Sequence, residues 1–126
     1  MDEAALTRSG ARKPEVMFQL TPKVRASGTT YRGSLRIAPL DLVERFGEHQ
    51  GPSGDRKTSG HYVFQGSDGC VVVVYDWKST SLYDARPEAQ LPSTGDFWSM
   101  FEPTEFSVAA SGKLNLPAFA EWLGAQ

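Results

Sequence analysis

The segment HYVFQGSDGCVVVVYDWK, residues 61–78, contains the pattern that decides the fold. Residues 70–74 form an apolar run with four consecutive valines, and β-branched residues favour strands. Asp68 and Gly69 lie between two such stretches, and this dipeptide is typical of a hairpin turn. Because alternate positions after the turn are apolar on both sides, we expect the second strand to be the central one of a sheet covered on both faces.

The length of the hairpin turn determines which side chains share a face. A two-residue turn at Asp68 and Gly69 pairs Gln65 with Val72, Val63 with Val74 and His61 with Asp76. One face then carries the aromatic side chains Tyr62, Phe64, Tyr75 and Trp77. A four-residue loop over residues 66–69 shifts this pairing, and the sequence leaves both alternatives open.

Patterns outside the hairpin predict three more strands and two helices. Alternating apolar residues predict strands over residues 15–20, 29–37 and 104–110, with Tyr31 on the same side as Leu35 and Ile37. Proline near the start and glycine after the end predict helices over residues 39–46 and 116–123. The order of elements indicates an α+β fold, with a mainly antiparallel sheet of about five strands and two short helices on one face.

The chain of 126 residues is of a size that fits one domain, which we place at residues 14–126. Residues 1–13 are polar and predict a flexible basic arm. Residues 79–95 form a long loop, and loops of this length are often functional. Residues 96–101 indicate one helical turn anchored by Phe97, Trp98 and Phe101.

Charge and composition exclude several classes of function. Residues 37–126 hold twelve acidic and six basic residues, which argues against general nucleic-acid binding. A single cysteine, Cys70, excludes an intrachain disulfide. The sequence contains neither a membrane-length apolar run nor the apolar segment of a signal peptide, so we expect a cytoplasmic protein. It also lacks a P-loop and a dinucleotide fingerprint, and we expect no cofactor and no metal.

One candidate acid–base pair emerges from the two-residue turn. His61 would lie opposite Asp76, and a carboxylate beside an imidazole raises its pKa and fixes its tautomer. The favoured interpretation is a structural hydrogen bond at the edge of the sheet, and we do not expect an enzyme.

The hairpin also suggests a binding surface. Flat rings flanked by cations suit a nucleobase and its phosphates, because stacking contributes about 1–3 kcal/mol per base and the cations neutralise the phosphate. The candidate ligand-binding residues are Arg32, Lys57, Tyr75, Trp77, Lys78, Tyr83 and Arg86. On the pattern of residues alone, the favoured interpretation is that the rings are core beneath a helix or lie in a dimer interface.

Several short motifs together resemble a family of small phage-encoded proteins. They are SGTTYRG at residues 27–33, Leu42 and Val43 before Phe46 and Gly47, Lys57, and YDWK at residues 75–78 followed by Tyr83. The family pattern continues with a tryptophan-containing Ile-Gly-Gly segment, whereas residues 106–110 lack the glycines. The resemblance implies an anti-defence protein that sequesters cyclic-nucleotide-type signals.

These observations lead to one favoured function and one alternative. We expect a non-enzymatic module that sequesters a phosphate-bearing small molecule of nucleotide type in phage counter-defence. The alternative is a protein-interaction module that docks a partner through its sheet face or the loop 79–95. Because a second apolar sheet face needs a cover, we also expect a homodimer, with Tyr62, Phe64, Tyr75 or Trp77 near the contact.

Overall fold

Five antiparallel strands form one sheet in the computed structural model, which describes residues 16–22 and 26–126. The elements are β1 (Phe18–Leu20), β2 (Thr30–Ile37), α1 (Pro39–Phe46), β3 (His61–Gly66), β4 (Val71–Tyr75), α2 (Thr94–Trp98), β5 (Thr104–Ala110) and α3 (Leu116–Leu123), with a 3-10 helix at Pro87–Ala89. The strand order is β1-β3-β4-β5-β2. The predicted α+β class, the antiparallel sheet and the central position of β4 are confirmed.

The caps of α1 and α3 explain why both helices have the predicted bounds. Gly47 follows α1 at a φ of 83° and donates its amide to the carbonyl of Val43 at 2.8 Å. The Asn115 side chain accepts a 3.1 Å hydrogen bond from the amide of Ala118 at the start of α3. Gly124 ends that helix in the left-handed conformation that glycine adopts readily.

All three α-helices cover one face of the sheet, which we call the helix face. Its most deeply buried strand side chains, at most 2% exposed, include Leu35, Tyr62, Phe64, Val72, Val74, Phe106 and Val108. Ring centres lie 5.0 Å apart for Phe46 and Phe64, and 5.7 Å apart for both Phe64–Phe119 and Phe97–Phe106. Burial of each such side chain contributes about 1.5–3 kcal/mol, so the core of the domain lies here.

The hairpin between β3 and β4 has a three-residue loop of Ser67, Asp68 and Gly69, which neither predicted alternative contains. The amide of Gly66 donates to the carbonyl of Cys70 at 2.8 Å, and Gly69 has a φ of 90°. This geometry is the common three-residue hairpin, a type I turn followed by a left-handed residue. The loop determines the register of every pair above it.

The register differs by one residue from the predicted two-residue turn. His61 pairs with Tyr75 and Phe64 with Val72, so the predicted pairing of His61 with Asp76 is wrong. A slip of one residue exchanges the faces of a strand. Tyr62 therefore lies on the helix face with Phe64, whereas Tyr75 lies on the opposite face. The predicted surface of four aromatic rings does not form.

The second face of the sheet is also buried at its centre. Val63, Val73 and Ala109 are 1%, 6% and 8% exposed, as expected for a central strand with two covered faces. Tyr31 pairs with Ala109 because the register of β2 shifts between Tyr31 and Gly33. Tyr31 thus lies on the second face, and its predicted alignment with the inward residues of β2 is wrong.

Three predictions about the ends and loops have mixed outcomes. The first strand begins at Phe18, and the arm predicted over residues 1–13 lies outside the described residues. The predicted helical turn is α2, which begins at Thr94, earlier than expected; Phe97 and Trp98 are its buried anchors, while Phe101 is 79% exposed. None of the helices in the described part of the chain has the length and apolarity that a membrane crossing requires.

Candidate ligand-binding site

Two lysines and two aromatic residues come together beyond the end of β4. This lysine–aromatic cluster consists of Lys57, Trp77, Lys78 and Tyr83. The Nζ atoms of Lys57 and Lys78 lie 5.7 and 5.3 Å from a ring centre of Trp77, and the Lys78 Nζ also lies 5.3 Å from the ring centre of Tyr83. These distances are within the range of cation–π attraction. Trp77 is 46% and Tyr83 43% exposed, so solvent reaches both rings.

The backbone of Lys78 fixes the place of its side chain. Its amide donates a 2.6 Å hydrogen bond to the carbonyl of Lys57, which joins the loop before β3 to the segment after β4. Lys78 also has a φ of 57°, in the left-handed region that a lysine rarely adopts. Such a conformation costs about 1–3 kcal/mol and persists where the surrounding contacts impose it, often at ligand sites.

The loop over residues 51–60 carries Lys57 and has its own internal hydrogen bonds. The Asp55 carboxylate accepts from the Ser53 hydroxyl at 2.6 Å and from the Lys57 amide at 3.1 Å, and these bonds lower its pKa. Its Oδ2 lies 3.9 Å from the Lys57 Nζ. A surface ion pair of this kind contributes about 0–1 kcal/mol, so Asp55 leaves Lys57 able to exchange it for another anion.

The Asp76 carboxylate ties this loop to the end of β4. Asp76 is fully buried and accepts from the Ser59 amide at 2.8 Å, the Gly60 amide at 3.0 Å and the Ser59 hydroxyl at 2.9 Å. The Ser59 Oγ in turn accepts from the Trp98 Nε1 at 3.0 Å. Sequence reasoning missed this link, because no spacing signal connects Ser59 and Gly60 with Asp76 or Trp98, which lie far from them in the chain.

The ring of Tyr75 packs edge-to-face against Trp77 from the second face of the sheet. Its ring centre lies 6.3 Å from that of Trp77, with the planes at 83°. Tyr75 is half-buried, and burial raises the pKa of its phenol. The structure therefore brings together Lys57, Tyr75, Trp77, Lys78 and Tyr83 from the predicted set.

The two predicted arginines, unlike the two lysines, are not available to a ligand at the cluster. Arg32 donates to the Thr30 hydroxyl and to the Ala110 carbonyl, near the hairpin loop and at the opposite end of β4 from Trp77. Arg86 lies near Tyr83 but makes hydrogen bonds of 2.9 and 2.7 Å to Asp84, which lower the pKa of Asp84 to about 2. Arg32 does not join the cluster, and Arg86 already has an anionic partner.

The predicted acid–base pair is absent from the hairpin. The Nδ1 of His61 lies 3.1 Å from the carbonyl oxygen of Gly51, and burial lowers the pKa of the imidazole. Asp76 points to the helix face, whereas His61 shares the second face with its partner Tyr75. The register of the hairpin thus separates the two side chains that a two-residue turn would have paired.

A cavity of about 580 Å³ lies at the other end of the domain, between the hairpin loop, β1 and α3. It is largely apolar, with Phe18, Leu114 and Trp122 among its lining residues, and its charged lining residues are Asp68, Lys113 and Glu121. One cation beside two carboxylates does not suit an anion. The charge requirement therefore favours the lysine–aromatic cluster over this cavity.

The cluster can hold an anion and a flat ring at the same time. Two ammonium groups supply charge, and two exposed rings supply stacking surfaces.

Residues 16–22 and 26–126 contain no group of three or more His, Cys, Asp or Glu side chains placed to hold a metal ion. Comparisons with known protein families and with the sequences of curated proteins gave no match to this chain.

Proposed function

We propose that this chain is a binding module that captures a small molecule carrying both a phosphate-type anion and a flat ring, such as a nucleotide. The observation that supports this proposal is the position of the Lys78 ammonium, 5.3 Å from each of two exposed rings. Lys57 adds a second cation beside the same tryptophan ring. A phosphate group at these lysines places an attached base beside Trp77.

The two rings are close enough for one small ligand to contact both. Because the Lys78 Nζ is 5.3 Å from both ring centres, those centres lie at most about 10.6 Å apart. In this proposal the ligand's base enters beside Trp77, and the Lys78 ammonium moves from the rings to the phosphate.

The energetic gain comes from two independent contacts. Stacking on an aromatic side chain contributes about 1–3 kcal/mol per base. A hydrogen bond between lysine and phosphate is charge-assisted and about twice as strong as a neutral one. Neither contact requires a reaction, so the proposed module binds its ligand and does not convert it.

The resemblance to small phage-encoded proteins extends the proposal to a biological role. A protein that sequesters a nucleotide-type signal lowers its free concentration and so acts in phage counter-defence. The YDWK motif of the resemblance contains Trp77 and Lys78, which are two of the four cluster residues. A panel of linear and cyclic nucleotides tests this role, because a ligand that binds the native state raises the melting temperature.

The exposure of Tyr83 favours a second candidate, a docking site for a partner protein on the loop 79–95. Tyrosine and tryptophan are enriched at the energetic centres of protein interfaces, and both Trp77 and Tyr83 are exposed here. This candidate predicts that no nucleotide changes the melting temperature.

The homodimer is a separate proposal. Tyr62 and Phe64 are buried under the helices of their own chain, so they cannot form the contact that the sequence suggested. Tyr75 and Trp77 remain available as contact residues. Because all four cluster residues come from one chain, the proposed site needs no second copy, and light scattering tests the dimer independently.

A titration with three probes tests the binding proposal. Adenosine 5′-monophosphate carries a ring and an anion, whereas adenosine and inorganic phosphate each carry one of them. We expect the nucleotide to bind at least about tenfold more tightly than either fragment. Trp77→Ala and Lys78→Met should each weaken nucleotide binding, while Lys113→Met, at the distant cavity, should not. Equal affinity of all four proteins, or no binding of any nucleotide in the panel, would refute the proposal.

A further inference from the structure

We infer that Asp76 is the positioning residue of the lysine–aromatic cluster. It touches no ligand in this account and acts through Ser59 and Gly60, which it holds beside the end of β4. The consequence for ligand binding rests on the proposed function, whereas the effect on the position of the lysines does not.

Three hydrogen bonds make Asp76 the link between the two segments that carry the cluster. Its Oδ1 accepts from the amides of Ser59 and Gly60, and its Oδ2 accepts from the Ser59 hydroxyl. Lys57 lies two residues before Ser59, and Trp77 and Lys78 directly follow Asp76. The carboxylate thus joins the same two segments as the Lys78–Lys57 backbone hydrogen bond, on the hairpin side of that bond.

The burial of Asp76 is what makes this role specific. The residue is fully buried on the helix face, whereas its neighbour Trp77 is 46% exposed. Two buried backbone amides without an acceptor would be costly, so the loop would have to leave the end of β4 if the carboxylate were removed. Lys57 would then leave Trp77, although no cluster side chain had been changed.

The Ser59 hydroxyl extends the link to α2. It donates to Asp76 and accepts from the indole Nε1 of Trp98, which is buried and packs against Phe106. The Ser59 hydroxyl therefore anchors the loop 51–60 to the core. This anchoring explains how a surface loop rich in glycine and polar residues holds Lys57 in one place.

Three variants separate positioning from a general loss of structure. Asp76→Ala removes every acceptor. Asp76→Asn is the conservative rescue, because its carbonyl oxygen can still accept from both amides while its amide group donates to the Ser59 Oγ, which has a second lone pair. Ser59→Ala removes the hydroxyl and leaves the two amide bonds. Asp41→Asn, at an exposed position of α1, is the matched control.

The first readout needs no ligand. In nuclear magnetic resonance spectra, the side-chain methylenes of Lys57 and Lys78 should show ring-current shifts from Trp77 and Tyr83. The amide of Lys78 should exchange slowly with solvent. Asp76→Ala should abolish the ring-current shift of Lys57 and speed exchange at the Lys78 amide at least about tenfold, with the amides of Val73 and Val108 unchanged. Asp76→Asn should restore both signals.

The second readout is the affinity for adenosine 5′-monophosphate. Asp76→Ala should weaken it about tenfold or more, and Asp76→Asn should bind within about threefold of the unchanged protein. If the unchanged protein binds no nucleotide but the ring-current shift is lost in Asp76→Ala, the proposed function fails and the positioning role of Asp76 stands. If the shift and the exchange rate at Lys78 persist in Asp76→Ala, the inference is wrong whatever the affinity.

A variant that does not fold leaves the inference testable. Should Asp76→Ala give no cooperative melting transition, Ser59→Ala decides the question. It should reduce the ring-current shift of Lys57 and speed exchange at Lys78 relative to Asp41→Asn. Spectra of Ser59→Ala that match those of the control would overturn the inference.

Discussion

The amide of Lys78 donates a 2.6 Å hydrogen bond to the carbonyl of Lys57, and both lysine side chains lie beside the ring of Trp77. This contact joins two segments that are separated in sequence by the whole of the β3–β4 hairpin. The loop of the hairpin sets the register of β3 and β4, and this register determines which side chains meet at the opposite end of the two strands.

The left-handed backbone of Lys78 predicts that replacing this residue by glycine relieves strain in the fold but weakens nucleotide binding. Glycine adopts a φ of 57° without the clash that a side chain suffers, so Lys78→Gly should leave the free energy of unfolding unchanged or raise it by up to about 1 kcal/mol. The same variant should lose nucleotide affinity. Lys113→Gly, at a residue without a positive φ, should lower the free energy of unfolding instead. Chemical denaturation measures both, and a destabilised Lys78→Gly would show that the side chain contributes more than its strain costs.

The hairpin loop provides a second matched pair. A Cβ at Gly69 meets no atom within 4 Å, but the φ of 90° is unfavourable for any residue with a side chain. Gly69→Ala should therefore lower the free energy of unfolding by about 1–2 kcal/mol. Gly95→Ala, in α2 and equally free of contacts, should be neutral or stabilising by about 0.4–1 kcal/mol. Equal effects in denaturant titrations would contradict the three-residue loop.

The burial of β4 predicts that it tolerates no charge on the helix face. Val74 is fully buried between β3 and β5, so Val74→Asp places an unpaired carboxylate in the core at a cost of several kcal/mol. We expect no cooperative thermal transition in circular dichroism. Ser34→Asp, at an exposed position of β2, is the control and should melt close to the unchanged protein. A Val74→Asp variant that folds and melts cooperatively would contradict the central position of β4 in the sheet.

Tyr62 predicts how stability changes in alkaline solution. Burial raises its pKa from 10 to about 12, and its hydroxyl donates a 2.7 Å hydrogen bond to the Gly47 carbonyl. Below pH 10 both states keep the proton. Between pH 10 and 12 the unfolded state loses it while the folded state does not, so the free energy of unfolding falls.

Tyr62→Phe isolates this contribution. The variant lacks the titrating group, so the unfolding free energy of the unchanged protein minus that of Tyr62→Phe should fall steadily as the pH rises from 10 to 12. At neutral pH the variant should be less stable by about 1 kcal/mol, because the Gly47 carbonyl loses a donor. A constant difference across this pH range would show that Tyr62 titrates normally in the folded protein.

Much of the fold was predictable because local signals agree with tertiary contacts. Gly47 after α1 and Gly124 after α3 satisfy helix ends that the sequence alone already marks. The strand over Thr104–Ala110 alternates because one of its sides faces the helices. Where a residue's local preference and its burial point the same way, the sequence suffices.

The hairpin register was not predictable, for a reason visible in its composition. Positions 71–74 are all valine, so moving the strand by one residue exchanges one valine for another and leaves the hydrophobic pattern unchanged. Gly69 fits both a two-residue turn and a three-residue loop with a positive φ. The resulting error placed Tyr62 and Phe64 on one face with Tyr75 and Trp77, and it paired His61 with Asp76.

The cluster was predictable only in part from local sequence, because three of its four residues are close together in the chain and one is not. Trp77 and Lys78 are adjacent in the chain, and Tyr83 follows within one loop. The contact with Lys57 depends on the backbone hydrogen bond to Lys78 and on the buried hydrogen bond between Asp76 and Ser59. No local sequence pattern predicts either of these two bonds. Long-range polar contacts of this kind are specified by the packed structure and leave no periodicity in the sequence.

The three tryptophans offer the most direct test of the central claim that a nucleotide binds at Trp77. Each indole Nε1–H gives its own resonance, and Trp98 and Trp122 are internal controls because the first bonds to Ser59 and the second packs in the aromatic core. On titration with adenosine 5′-monophosphate, the Trp77 indole and the methylenes of Lys57 and Lys78 should shift together along one saturating curve, with the other two indoles fixed. Saturation with the Trp77 resonance unmoved would contradict the account, as would shifts confined to the cavity beside Trp122.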